Sequence, residues 1–149
     1  MKIVRDSRLE ALKGVEHLLY GINYEVWLNL YGPAESDLGL AEALRSLISK
    51  ECEISSVVPS SPQEAISEIM DKVLYKGHIG SGPLELESKE AEITELMNKV
   101  FSLIGLEKAE LVTEFGFKNG HPAYPVFWDF AYDIHSNDQR WILVGSSSD

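Results

Sequence analysis

The stretch LVTEFGFKNGHPAYPVFWDFAYDIHSNDQRWILV, residues 111–144, decides the fold, because two turn signals inside it set how three apolar segments face one another. Apolar and polar residues alternate along each segment, the period of a strand with one buried face. Asn119-Gly120 is the favoured dipeptide of a two-residue hairpin, in which both turn positions need positive φ. Used as the turn, it sets Lys118 opposite His121, Phe115 opposite Tyr124, Thr113 opposite Val126 and Leu111 opposite Trp128. A second turn at Ser136–Gln139 sets His135 opposite Arg140, Ile134 opposite Trp141 and Tyr132 opposite Leu143. Together the turns gather Leu111, Thr113, Phe115, Tyr124, Val126, Trp128, Phe130, Tyr132, Ile134, Trp141 and Leu143 on one face. The expectation is a three-stranded antiparallel meander over residues 109–117, 123–135 and 140–145.

The alternate row holds Glu110, Val112, Glu114, Phe127, Asp129, Ala131, Asp133, His135, Arg140, Ile142 and Val144, apolar at its centre and charged at its rim. This register puts Glu110 opposite Asp129, an unfavourable like-charge pair. Pro122 and Pro125 place their part of the strand at an edge or a bulge, since neither donates a backbone hydrogen bond. Asp129 stands between Trp128 and Phe130. If helices cover its face, it must find a donor or shift its pKa upward. Asp133 and Arg140 are positioned for a cross-strand salt bridge beside an exposed His135.

Upstream the period changes to that of helices. Asp6 or Ser7 can cap a first helix whose apolar positions Leu9, Leu12, Val15 and Leu19 run to Gly21. Ile22, Tyr24, Val26, Leu28 and Leu30 then alternate with polar positions, predicting an N-terminal strand over residues 22–31 that joins the sheet. Trp27 and Tyr31 fall on its polar side, where large aromatics suit an interface. Leu38, Ala41, Leu44, Leu47 and Ile48 suggest a second helix, and CEISSVV (52–58) a short edge strand or connector. Ser61, Pro62 and Glu64 make a capping box for a third helix that ends at Gly77. GHIGSGPLELES (77–88) is a glycine-rich loop with His78 exposed, and it lacks the Lys-Ser/Thr of a phosphate loop. Ser88 can cap a fourth helix that closes at Gly105. The fold class is therefore α+β: one domain over 1–149, with about four helices on a mostly antiparallel sheet.

The chain carries 24 acidic and 13 basic residues, a net charge of −11, which disfavours direct binding to a phosphate backbone. Residues 51–110 alone hold twelve acids against five bases, −7 of that total. No run reaches the apolar length of a membrane helix, and the first residues lack a signal-peptide core. Cys52 is the sole cysteine, so no internal disulfide can form, and a cytoplasmic setting is expected. The histidines are scattered without ligand spacing. No catalytic residue, metal or cofactor is indicated, and the balance leans away from an enzyme. The leading expectation is a small acidic protein that binds a basic protein partner, in the manner of a bacterial immunity or inhibitor protein that neutralises a toxin. Its candidate contact residues are Trp27, Tyr31, Glu110, Glu114, Phe127, Asp129, Asp133 and His135. The alternatives are a small-molecule pocket between sheet and helices near Asp129, and a structural subunit, monomeric or homodimeric.

Overall fold

A computed structural model describes residues 9–149. The elements run α1 (Glu10–Leu19), β1 (Gly21–Ile22), β2 (Glu25–Ala34), α2 (Leu40–Leu47), β3 (Glu53–Pro59), α3 (Pro62–Val73), β4 (Gly82–Pro83), α4 (Leu86–Ile104), a 3-10 turn (Leu106–Lys108), β5 (Leu111–Asn119), β6 (Trp128–Ser136) and β7 (Gln139–Ser148). The four helices and antiparallel sheet are the α+β class that the periodicity predicts. β2, β7, β6, β5 and β3 form one antiparallel sheet in that order, while β1 and β4 make a separate two-stranded ribbon. The proposed caps Asp6 and Ser7 lie outside the described residues.

Three helices cover one face of the sheet. Leu12, Val15 and Leu19 of α1, Ala65, Ile69 and Val73 of α3, and Ile93, Met97 and Val100 of α4 pack on Leu28, Phe130, Tyr132, Ile134 and Leu143. That is the face anticipated for the row from Trp128 to Ile134. Burying side chains of this size stabilises the fold by about 1.5–3 kcal/mol each, which is why amphipathic helices settle there. The opposite face has a smaller core, in which α2 lays Leu44 over Ala131, Ile142, Val144 and Phe115 beside buried Cys52. Trp27 and Tyr31 are partly buried against this second core. Their side of β2 is therefore covered.

The second turn of the meander forms as expected. Asn137 and Asp138 both take positive φ, and His135 pairs with Arg140, Ile134 with Trp141 and Tyr132 with Leu143. The first turn does not. Leu111 pairs with His135, Val112 with Ile134, Thr113 with Asp133 and Glu114 with Tyr132. This displacement is an odd number of residues, so β5 presents its other face to the helices. Val112 and Glu114 lie under α3, and Phe115 belongs to the second core. Leu111, Tyr124 and Val126, expected in the core, are exposed. Glu110 is not opposite Asp129: its N–H donates to the His135 carbonyl, and its carboxylate accepts from the Asn137 N–H.

The reason lies in β3. Asn119 pairs with Glu53 across that strand, and Gly120 approaches Cys52 so closely that a Cβ would sit 2.7 Å from the Cys52 backbone. The dipeptide thus ends β5 against β3, and residues 120–127, with their two prolines, form a longer crossing.

Three helix ends also differ from expectation. α3 keeps its predicted start, with Ser61 Oγ accepting from the Glu64 N–H at 3.2 Å, but ends at Val73. α4 starts at Leu86 behind a left-handed Glu85, and Ser88 Oγ donates back to the Glu85 carbonyl from inside the first turn. α2 begins after Leu38, at Leu40.

Candidate functional site

Asp133, His135 and Arg140 do meet, on the second face. Arg140 Nε lies 3.0 Å from Asp133 Oδ1 and donates to His135 Nε2 at 3.2 Å, while its Nη1 donates to the Leu38 carbonyl at 2.7 Å. The expected salt bridge is present, but His135 is largely covered rather than exposed. The same His135 Nε2 also lies 3.3 Å from Asp133 Oδ2, so it sits between the guanidinium and the carboxylate. A carboxylate matched by a guanidinium has no free base or nucleophile to offer. This cluster clamps the segment leading into α2.

Asp129 is the residue whose cover mattered most, and its side chain is 50% exposed. Its carboxylate is 3.9 Å from His121 Nε2. Burial lowers the His121 pKa, the Asp129 charge opposes that shift, and Nδ1 accepts from the Ala123 N–H. The larger grooves lie elsewhere: about 490 Å³ between α1 and β2, lined by Lys13, His17, Glu25 and Trp27, about 500 Å³ between α3 and the 3-10 turn, and about 420 Å³ beside the end of α4. Among the described residues, no three of His, Cys, Asp and Glu are arranged to hold a metal ion. No helix there is long and apolar enough to cross a membrane.

Both edges of the main sheet are partly blunted. On β2, the Leu28 N–H is taken by Glu16 Oε2 at 2.7 Å and the Leu30 N–H by Asn29 Oδ1 at 2.9 Å. On β3, Ser60 donates inward to Val112, so by alternation Pro59 and Val57 face outward, and Pro59 has no N–H. A register shift next to Ser55 bends the same edge. Prolines, bulges and side-chain caps are the usual means of blunting edges.

One group of exposed apolar side chains lies at the β1–β4 ribbon, while Leu38, Val57, Val58, Leu103 and Leu111 are exposed elsewhere. Tyr20 is 60% exposed, Ile22 55%, Leu84 46%, and Ile79 stands fully in solvent. They are close because Ile22 pairs with Gly82, Gly21 with Pro83, and Asn23 Nδ2 donates to the Gly80 carbonyl. Gly21 has no room for a side chain at this crossing, and a Cβ on Gly82 would meet the Lys76–Gly77 backbone at 2.9–3.0 Å. The same end of the fold holds an aromatic platform. Tyr24 and Phe127 rings are 5.7 Å apart, Tyr75 and His78 meet edge to face at 5.5 Å, and Tyr24 Oη accepts from Trp128 Nε1 at 2.8 Å. Burial pushes the Tyr24 hydroxyl pKa up, so it stays a neutral hydrogen-bonding group. Val126 and Tyr124 are exposed on the adjoining crossing, whose Val126 N–H bonds to Ser147. Exposed Glu25, Glu85 and Asp149 flank the patch, together with Lys76, with Lys89 at the Leu18 carbonyl and with Lys13 in the groove that Tyr20 and Glu25 share.

Family models, curated proteins and solved structures were compared with the chain, and none matches.

Of the eight residues singled out from sequence, the structure brings only Phe127 to this end, within the platform. Trp27, Tyr31, Asp133 and His135 face the second core side, Glu110 and Asp129 sit apart on the surface, and Glu114 lies under α3. Sequence reasoning missed Tyr20, Ile22, Ile79 and Leu84. The available signal was an isoleucine and a leucine in a glycine loop, where an apolar side chain has no core of its own to enter. His78, expected to be exposed in that loop, is.

Proposed function

We propose that the protein binds a basic protein partner through the β1–β4 ribbon end, as an inhibitor or immunity-type protein that neutralises a toxin in the cytoplasm. One observation carries this: Tyr20, Ile22, Ile79 and Leu84 are all exposed around the β1–β4 pairing, at the end of the fold that holds the Tyr24, Tyr75, His78 and Phe127 rings and exposed carboxylates. An apolar centre with a polar rim is the anatomy of a protein interface, and large exposed apolar patches on a folded surface mark such sites. Charge selects the partner. A second copy would bring two bodies of charge −11 together with their acidic flanks apposed, whereas a basic surface is attracted and steered.

The test is capture from source cells at low ionic strength, comparing the natural chain with Ile79→Ser/Leu84→Ser. A basic protein should be held by the natural chain, lost by the variant and inhibited when bound. Retention by the variant would put the interface elsewhere, and recovery of no basic protein would sink the reading. Both substituted residues are exposed, so folding should change by no more than about 0.5 kcal/mol, checked by circular dichroism and melting.

A further inference from the structure

Residues 120–127 cross from β5 to β6 and are anchored at both ends. At the start, Cys52 Sγ donates to the Gly120 carbonyl at 3.4 Å, and Gly120 has no room for a side chain against the Cys52 backbone. At the end, the Val126 N–H donates to the Ser147 carbonyl at 2.7 Å. Between these anchors the crossing is held by a side chain of its own, for the Ala123 N–H donates to His121 Nδ1 at 2.9 Å. A donor two residues beyond the acceptor is the spacing at which a side chain closes a turn on its own backbone. A backbone N–H can only donate, so Nδ1 is unprotonated and the neutral ring carries its proton on Nε2. That Nε2 is buried and makes no hydrogen bond among the described residues, and Asp129 Oδ2 stands 3.9 Å away. The ring also meets Phe117 edge to face at 4.9 Å.

We propose that His121 is a pH-operated staple: neutral, it holds the turn through Ala123, and doubly protonated it turns to Asp129 and releases the crossing between its anchors. An imidazolium has an N–H at both nitrogens and no acceptor, so it cannot keep the Ala123 bond. Its charge has a destination. The Asp129 carboxylate is half exposed, and roughly 1 Å of movement would bring it to charge-assisted hydrogen-bond length from Nε2. Asp129 of β6 is the charge that acts on the ring. From β5 the ring meets Phe117, with Lys118 exposed next along the strand. The β3 side brings the Cys52 thiol, kept neutral by burial, and exposed Glu51 and Glu53, of which Glu53 accepts from the Asn119 amide. From α3, Lys72 reaches the Asp129 carbonyl. Burial lowers the His121 pKa from its ordinary 6.5 by more than the Asp129 charge raises it, so folding favours the neutral ring. A lowered group contributes stability that is present above its unfolded value and lost as pH falls through its folded value. The staple is therefore closed at neutral pH and opens in mild acid. Tyr124, 83% exposed, rides on the released segment. None of this rests on the function proposed above.

Nitrogen-15 NMR of the free protein tests the staple. The imidazole should carry its proton on Nε2 at neutral pH and titrate below the ordinary histidine value. Across that step, water exchange of the Ala123 amide, corrected for its intrinsic rate, should rise several-fold, while that of Val126 stays constant. His121→Asn offers a side-chain carbonyl to the same N–H and takes up no proton, so the rise should vanish. Asp129→Asn should move the His121 step to lower pH. A proton on Nδ1 at neutral pH, Ala123 exchange that ignores the step, the same rise in His121→Asn, or an unmoved step in Asp129→Asn overturns the staple. If His121→Asn fails to fold, the contrast between Ala123 and Val126 in the natural chain decides. Capture that recovers no basic protein would sink the proposed function and leave this result untouched.

Discussion

Gly145 shows how one residue settles the packing of three strands. It lies on β7 between Leu28 of β2 and Phe130 of β6, its register partners on the helix-covered face. A Cβ there would stand 2.5 Å from the Phe130 ring and 2.7 Å from Leu28 Cδ2, both buried. The ring occupies the volume that a side chain would need. Gly145→Ala should therefore destabilise the fold by about 1–3 kcal/mol through overpacking. Urea unfolding should show a lower midpoint with an unchanged slope. A shift worth under about 0.5 kcal/mol would mean the ring moves aside freely.

Among the described helices, α2 is the one that packs on the second sheet face, and it has only eight residues to do so. The Asp133–Arg140 pair compensates by holding the segment before it, through the Arg140 contact to the Leu38 carbonyl. Both side chains are about 95% buried, so breaking the pair strands a charge. Asp133→Ala should cost about 3–5 kcal/mol, measured by chemical denaturation. A cost under about 1 kcal/mol would show that Arg140 finds water once its partner is gone. The pair was legible in sequence because Asn137-Asp138 forms a local turn, and a local turn fixes its own register. The Asn119-Gly120 signal was equally strong and led to the wrong face of β5. Nothing local could reveal that β3, more than fifty residues upstream, would claim Asn119.

For the whole molecule, the decisive quantity is the sign of its field. A net −11 should steer a basic partner, so the association rate should fall by about tenfold or more between low salt and about 0.5 M salt. The dissociation rate should depend instead on Ile79 and its neighbours, whose apolar contacts salt does not screen. Stopped-flow binding separates the two. An association rate indifferent to salt would remove steering from the account, and a dissociation rate unchanged in Ile79→Ser/Leu84→Ser would remove the patch.

Amphipathic periods, the Ser61 cap, the Gly105 stop and the Ser136–Gln139 turn are properties of a few adjacent residues, and the sequence by itself determined them. They were enough for the α+β class and for the buried row from Trp128 to Ile134. The face that β5 shows, the exposure of Asp129 and the gathering of Tyr20, Ile22, Ile79 and Leu84 were decided by tertiary structure alone. Each depends on contacts between distant segments, and a one-residue difference in strand register exchanges core for surface. An exposed apolar residue carries no local mark of its exposure, because the same side chain would be at home in a core that the chain happens not to bring to it.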